Sequence, residues 1–208
     1  EIQRFFKECD SYVLRKKTPG RPYVYPALYR FLYCCGARCG EARHLRCENV
    51  HLSDGYLDIL QSKGHRDRRL FLSDELISYL IEYDCAIRNC FPKREYFFPG
   101  PSGNIISASS IPFNFRKIWL AAGLKRDGEI KPRPYDFRHH FACANIARWA
   151  KERKDVISML PYLMRYMGHS SLEKTYYYVH LIPDYFADYA AATENLESLL
   201  PEVEPYEI

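Results

Sequence analysis

The sequence predicts a mainly α-helical fold with one small antiparallel β-sheet (α+β). Three observations predict it. Apolar residues recur at helical spacing through most of the chain, the period changes only within residues 50–72, and neither an internal repeat nor a low-complexity tract is present. In chain order, Pro26 opens a helix that carries Leu28, Phe31, Leu32 and Cys35 at helical spacing. Gly36 interrupts it, and a second short helix starts near Arg38 and runs to about Leu45. Leu57 and Ile59 then alternate with Asp58 and Leu60, a polar glycine-bearing stretch follows at 61–67, and Leu70-Phe71-Leu72 returns. This pattern predicts a β-hairpin whose loop is rich in cations. Ser73 before Asp74 and Glu75 marks a helix start, with carboxylates near the positive end of the dipole and an amphipathic run to about Ile87. Residues 92–104 hold three prolines and two glycines, so a loop or a short strand around Tyr96-Phe97-Phe98 is expected. Helices follow at Ser109–Ala122, Tyr135–Trp149 and Val156–Met167, then a short one near Leu172–Tyr178 and a last one over Asp184–Leu199.

Composition narrows the function classes. A chain of 208 residues is one domain with at most a trailing arm, and its 47% apolar and 27% charged residues exclude wholesale disorder. No run of 18 apolar residues exists, so no helical membrane span is expected. The first nine residues carry no secretory signal, and the start at Glu1 rather than methionine suggests a fragment or a processed product. Eight cysteines include the adjacent Cys34 and Cys35 but no Cys-x-x-Cys pair, and none of the seven histidines stands at zinc-finger spacing from a cysteine pair. Reduced cysteines used as small core residues, in a cytoplasmic protein, are the expectation.

The net charge of +4 is uneven. All 30 bases and 19 of the 26 acids precede residue 181, a net of +11, whereas the last 28 residues hold seven acids and no base. A basic body with an acidic tail suits a polyanion-binding surface with a segment that can dock on it; an unevenly charged solvated surface accounts for it equally well.

Three segments carry candidate chemistry. The first is Cys35-Gly-Ala-Arg38-Cys-Gly-Glu41-Ala-Arg-His-Leu45, the second Pro134-Tyr-Asp-Phe-Arg138-His139-His140-Phe-Ala142, the third Tyr166-Met-Gly-His169 through Tyr176-Tyr177-Tyr178-Val-His180. An arginine beside a glycine at a helix start can present its planar fork to a phosphate. Taken singly, each segment reads as readily as a solvated or locally paired arginine, or as core and rim aromatics.

Together, in this order and spacing, the segments resemble the tyrosine recombinase (phage integrase) family over about residues 25–186. Gly36, Arg38, Glu41 and Leu45 fit its Gly-x-Arg-x-x-Glu motif; Tyr135, Arg138, His139 and Ala142 lie where it has His-x-x-Arg and a small-residue helix; Gly168, His169, Tyr178 and His180 match its Gly-His, nucleophilic tyrosine and x-His. Lys63-Gly64 stands where the family carries a lysine in a hairpin loop. The resemblance implies a catalytic domain at 1–180 that cleaves and rejoins double-stranded DNA without metal, cofactor or ATP. It implies Tyr178 as the nucleophile of a 3′-phosphotyrosyl intermediate, Arg38 and Arg138 bracing the non-bridging oxygens, His169 donating a further hydrogen bond, and Lys63 protonating the leaving oxygen. Glu41, His139 and His180 are implied as supports. Consecutive helical residues point about 100° apart, so three adjacent phenols cannot share one phosphate. Tyr178 alone has the right distance from His169, and Tyr177 is next in line. A cluster of acids suited to a catalytic metal does not stand out, which argues against a hydrolytic nuclease.

One position departs from the family: Tyr135 stands where it has histidine. A phenol can donate a hydrogen bond to a phosphate but is a poor proton acceptor near neutral pH, so activity survives if that position only donates and drops if it must act as a base, unless His139 or water substitutes. Arg43, Arg46, Arg66, Arg68, Arg69, Lys131 and Arg133 are candidate DNA-backbone contacts. Residues 181–208 form an acidic arm whose helix is expected to pack on a neighbouring protomer in a DNA-bound homotetramer, or on its own domain in a free monomer. An N-terminal domain that completes the clamp on DNA is expected to be absent from this chain. The implied function is site-specific recombination through a Holliday junction, for integration or excision of a bacterial or phage-borne mobile element. The rivals are a strand relaxer of the type IB topoisomerase kind and a DNA-binding relative that has lost catalysis.

Overall fold

The computed structural model describes residues 1–14, 20–60, 67–124 and 132–179. Its helices are α1 (Ile2–Leu14), α2 (Arg21–Cys35), α3 (Cys39–His44), α4 (Asp74–Cys90), α5 (Ser110–Ala121), α6 (Asp136–Lys151), α7 (Val156–Met167) and α8 (Glu173–Val179). Strands β1 (Val50–His51), β2 (Tyr56–Ile59) and β3 (Arg68–Phe71) form one antiparallel sheet in the order β1-β2-β3, with Leu57 opposite Leu70 and Asp58 opposite Arg69. The mainly α fold with a small antiparallel sheet is the one the sequence predicts. The helix expected over 184–199 lies outside the described residues.

Three points differ from expectation. Helix α2 starts at Arg21, where Pro22 supplies the pre-set first turn, and Pro26 lies inside the helix instead of opening it. Helix α1 and strand β1 are additions. The cysteines are all unpaired, but only Cys9 and Cys35 are buried, while Cys34 and Cys85 are exposed. Where helix ends follow expectation the cause is local: Ser73 Oγ accepts the Leu76 amide at the start of α4, and Asp155 accepts the amides of Ile157 and Ser158 at the start of α7.

Apolar side chains gather in two clusters. The larger is strongly aromatic, with Phe5, Tyr29, Phe31, Phe98, Phe115 and Phe137 from α1, α2, α5, α6 and the 92–104 segment, and it takes in Leu57 and Leu70 of the sheet. Buried Tyr29 gives its hydroxyl proton to the Ile111 carbonyl at 2.7 Å, so the ring's polar end is satisfied inside the core. The smaller cluster joins α6, α7 and α8 through Ile146, Leu160, Leu163, Met167 and Tyr178. Tyr166 packs against both and stacks on Phe141 with ring centres 5.4 Å apart. Glycines capping α2 and α7 stand at this seam, and it is there that the candidate residues meet. Among the described residues, no helix is long and apolar enough to cross a membrane.

Candidate active site

Two left-handed helix caps hold two arginines. Gly36 ends α2 at φ 59°, and a Cβ there would stand 2.6 Å from the Phe141 ring, so glycine is required by conformation and by space. Its carbonyl accepts Arg138 Nη1 at 2.6 Å. Gly168 ends α7 at φ 65°, and its carbonyl accepts Arg38 Nη2 at 2.8 Å. The Met167 carbonyl accepts Arg138 Nη2 at 2.5 Å. Helix C-termini carry partial negative charge on such carbonyls, which suits a guanidinium. Arg138 is 1% exposed; burial, and then the nearby Arg38, lower its pKa to about 10, which leaves it cationic near neutral pH. Its Nε has no hydrogen-bond partner.

Arg38 caps the start of α3 and is partly open. Its backbone N–H donates to Glu41 Oε2 at 2.8 Å and its Nη1 to Glu41 Oε1 at 2.7 Å. Arg68, from β3, grips the same carboxylate from the other side, at 2.9 and 2.8 Å, and donates Nε to the Tyr166 carbonyl at 2.6 Å. Burial alone would raise the Glu41 pKa, but Arg68, and then Arg38, hold it below the ordinary carboxylate value. Arg38 lines a cleft of about 660 Å³ with Gly40, His44, Arg46, Asn49 and Tyr96. Gly168 and His169 line a second, of about 1000 Å³, with Arg69, Phe71, Tyr162 and Arg165. The Arg38–Gly168 hydrogen bond links the two linings.

The tyrosine side rests on α8. Tyr178 is 3% exposed, and its ring lies nearly parallel to that of buried His169, centres 6.0 Å apart at 14°. His169 Nδ1 pairs with Thr175 Oγ1 at 2.9 Å, and Thr175 is fully buried. Burial, and then Arg138 and Arg38, lower the His169 pKa to about 4, so the ring is neutral near pH 7. Burial, with Tyr135 next, raises Tyr178 to about 12 against the opposing pull of Arg138. His139 stands 4.9 Å from the Tyr135 ring and 5.5 Å from the Tyr178 ring; its Nδ1 is buried without a partner, and burial lowers its pKa. Tyr135 and Tyr177 are exposed. Arg38, Glu41, Tyr135, Arg138, His139, His169 and Tyr178 therefore gather around the end of α7.

Lys63, Arg66, Lys131, His180 and the acidic arm lie outside the described residues. Of the other backbone-contact candidates, Arg46 pairs with Glu95 at 2.6 Å, Arg69 with Asp58 at 2.9 Å and Arg133 with Asp136 at 3.5 Å, all at the surface. Half-buried Arg43 donates to the Ile106 carbonyl at 3.0 Å. The Arg68 side chain is 7% exposed; it bonds Glu41 and Tyr166 and borders the second cleft. Its two-residue spacing from buried Leu70, which puts both on one face of β3, was the available signal. Sequence reasoning also passed over Thr175, for which no signal existed. Among the described residues, no group of three His, Cys, Asp or Glu side chains is placed to hold a metal ion.

The integrase/recombinase y4rE of Sinorhizobium fredii is 33% identical over 165 residues, which cover 77% of this chain and 52% of that protein. The chain thus spans about half the length of the curated relatives it matches. Among solved structures, XerA recombinase superposes with a TM-score of 0.69 at 21% identity, over 97% of this chain and 62% of that one. XerH site-specific recombinase, in a pre-cleavage complex with its difH substrate, superposes with a TM-score of 0.67 at 22% identity, over 92% of this chain and 52% of that one. At such identities the likeness establishes the fold. The phage integrase family model matches residues 1–184, and the chain belongs to that family.

Proposed function

We propose that this chain is the catalytic part of a site-specific DNA recombinase that breaks and rejoins strands through Tyr178. The observation that carries the reading is the convergence of Arg38, Arg138, His169 and Tyr178 around the end of α7, with both arginines held by carbonyls of the glycines that cap α2 and α7. In this reading Arg38 and Arg138 turn their remaining N–H groups to the non-bridging oxygens of the scissile phosphate, where charge builds as phosphorus becomes five-coordinate. Neutral His169 donates a further hydrogen bond. The Tyr178 oxygen attacks phosphorus and the bond to the 5′-oxygen breaks; Lys63 gives that oxygen a proton, and the phenol proton passes to water or His139. The phosphodiester energy is kept in the 3′-phosphotyrosyl bond, so rejoining needs no ATP and the cycle needs no metal or cofactor. Two such exchanges within a homotetramer on two duplexes, through a Holliday junction, would integrate or excise a mobile element. Residues 181–208 serve as the contact between protomers, and 1–180 as the catalytic domain.

The free site carries a covered, neutral phenol, so DNA must uncover Tyr178 before it reacts. Covalent trapping tests the reading. The chain and its Tyr178→Phe variant are mixed in EDTA with nicked duplexes of random central sequence, and products are resolved in SDS. An adduct formed by the first and absent from the second is expected. Duplex binding at low salt with no adduct, even after the N-terminal half of a relative is supplied, would replace this reading with a DNA-binding relative that has lost catalysis, of which Tyr135 is the first mark.

A further inference from the structure

We propose that Arg68 is a positioning residue for strand cleavage, acting on Arg38 through Glu41 and Gly168; the inference rests on the recombinase reading above. Arg38 has two anchors, the Glu41 carboxylate through Nη1 and the Gly168 carbonyl through Nη2. Arg68 holds both. It engages both oxygens of Glu41, so the carboxylate plane cannot turn; Oε1 is the atom it shares with the Arg38 side chain, and Oε2 the one it shares with the Arg38 backbone N–H. Its Nη1 also lies 3.0 Å from the position a Cβ would take on Gly168, directly against the residue that receives Arg38 Nη2, while its Nε fixes the Tyr166 carbonyl two residues earlier.

A guanidinium has five N–H donors in a planar fork, so on an open carboxylate it can pair through more than one edge. With Arg68 filling the second face of Glu41, Arg38 is left one arrangement, and its remaining N–H groups keep one direction. The side chains of Arg68 and Glu41 are 7% and 5% exposed, that of Arg38 25%. The two buried members thus form a mount, and the partly open third is the group offered to a ligand. Arg68 commits Nε, Nη1 and Nη2 to Glu41 and Tyr166, and it borders the cleft beside Gly168 and His169 only with what remains. It comes from β3, so the same ion pair ties the strand leaving the hairpin to α3 and to the end of α7.

The test is the limiting rate of adduct formation on saturating nicked duplex, together with the salt dependence of duplex binding. Arg68→Met is expected to slow the limiting rate by about 10–100-fold, the scale of a small misplacement of a catalytic group. Its half-saturating DNA concentration and salt slope should match those of the unaltered chain. In an Arg38→Ala background, adding Arg68→Met should change the rate by less than about threefold, since the group it positions is gone. Arg68→Met with Glu41→Gln removes the stranded buried charge; it should melt near the unaltered chain and stay as slow as Arg68→Met. The inference is overturned if the losses from Arg38→Ala and Arg68→Met multiply, if Arg68→Met keeps the full rate, or if it lowers the salt slope by about one, the mark of a lost phosphate contact. No adduct from the unaltered chain, even with the N-terminal half of a relative supplied, overturns the recombinase reading, and this inference with it; an adduct with multiplying losses overturns this inference alone.

Discussion

The two walls of the site are built by different physics. On the cationic wall Arg38 and Arg138 are fixed by charge-assisted hydrogen bonds to the carbonyls of Gly36, Met167 and Gly168 and to Glu41, acceptors that keep their character across the neutral range. On the tyrosine wall Tyr178, on the seven-residue α8, lies against the ring of His169, which pairs with Thr175 of the same helix, and burial drives both toward neutral forms, the histidine to about 4 and the phenol to about 12. For Tyr178 the contest can be decided: Arg138 pulls the phenol down, burial pushes it up, and burial wins. In the proposed reading, charge stabilisation is thus in place before substrate arrives, while Tyr178 stays uncharged until it is uncovered.

The sharpest break in this comparison is chemical. Tyr178→Phe should abolish adduct formation while leaving the melting temperature nearly unchanged, whereas Tyr177→Phe, which alters an exposed phenol, should keep activity. Next is Arg138. Arg138→Met should lower the cleavage rate by about 10²–10³-fold, the scale of one lost donor to a developing oxyanion. It also leaves two buried carbonyls without their donor, at about 1–3 kcal/mol each in unfolding assays. Arg138→Lys tells fork from charge: one ammonium cannot reach both Gly36 and Met167 as the guanidinium does, so recovery should be slight. Recovery by lysine would mean that the cationic wall works through charge and not through geometry.

Gly36→Ala attacks the same wall through its backbone. Positive φ costs an L-residue about 1–2 kcal/mol, and the new methyl must displace the Phe141 ring. The melting temperature should fall and the cleavage rate with it, because the Arg138 acceptor moves. The tyrosine wall answers to pH instead. Between the ordinary histidine value of 6.5 and the folded value of about 4, the unfolded chain binds a proton that folded His169 refuses. Stability should therefore be flat above 6.5 and fall as pH drops toward 4. His139 adds to the effect in the same direction, while Glu41, held below its ordinary 4.5, contributes only further into acid. His169→Gln should flatten the decline in melting temperature between pH 6.5 and 4.5; an unchanged slope would place the titration elsewhere.

What could be read in advance follows the same division. Helix α7 was legible end to end because Asp155 and Gly168 are side-chain and backbone signals at its two limits, and the β2–β3 hairpin was legible through the alternation of Leu57, Ile59 and Leu70. The start of α2 was missed because two prolines, Pro22 and Pro26, both suit a first turn, and only packing of Val24 and Tyr25 into the core selects the earlier one. At the site, the residues that offer side chains could be found by type and spacing. The groups that hold them are largely main-chain carbonyls of Gly36, Met167 and Gly168, which every residue possesses, so no residue type announces them.

The smallest expected effect comes from the neighbour of Arg68. Strand alternation sends Arg68 inward to Glu41 and Arg69 outward, where it pairs with Asp58 and lies 3.6 Å over the Tyr56 ring. Exposed pairs of this kind add little to stability, since water screens them and ordering two side chains costs entropy. Arg69→Gln should hardly move the melting temperature. If Arg69 meets DNA at all, it does so as a surface cation, so its loss should weaken duplex binding a few-fold and lower the salt slope by about one, with the limiting cleavage rate unchanged. Arg68→Met should do the reverse, lowering the rate and leaving the slope. Two adjacent arginines with opposite signatures would follow directly from the two-residue period of β3. The same signature from both would mean that the face assignment, and with it the separation of mount from surface, is wrong.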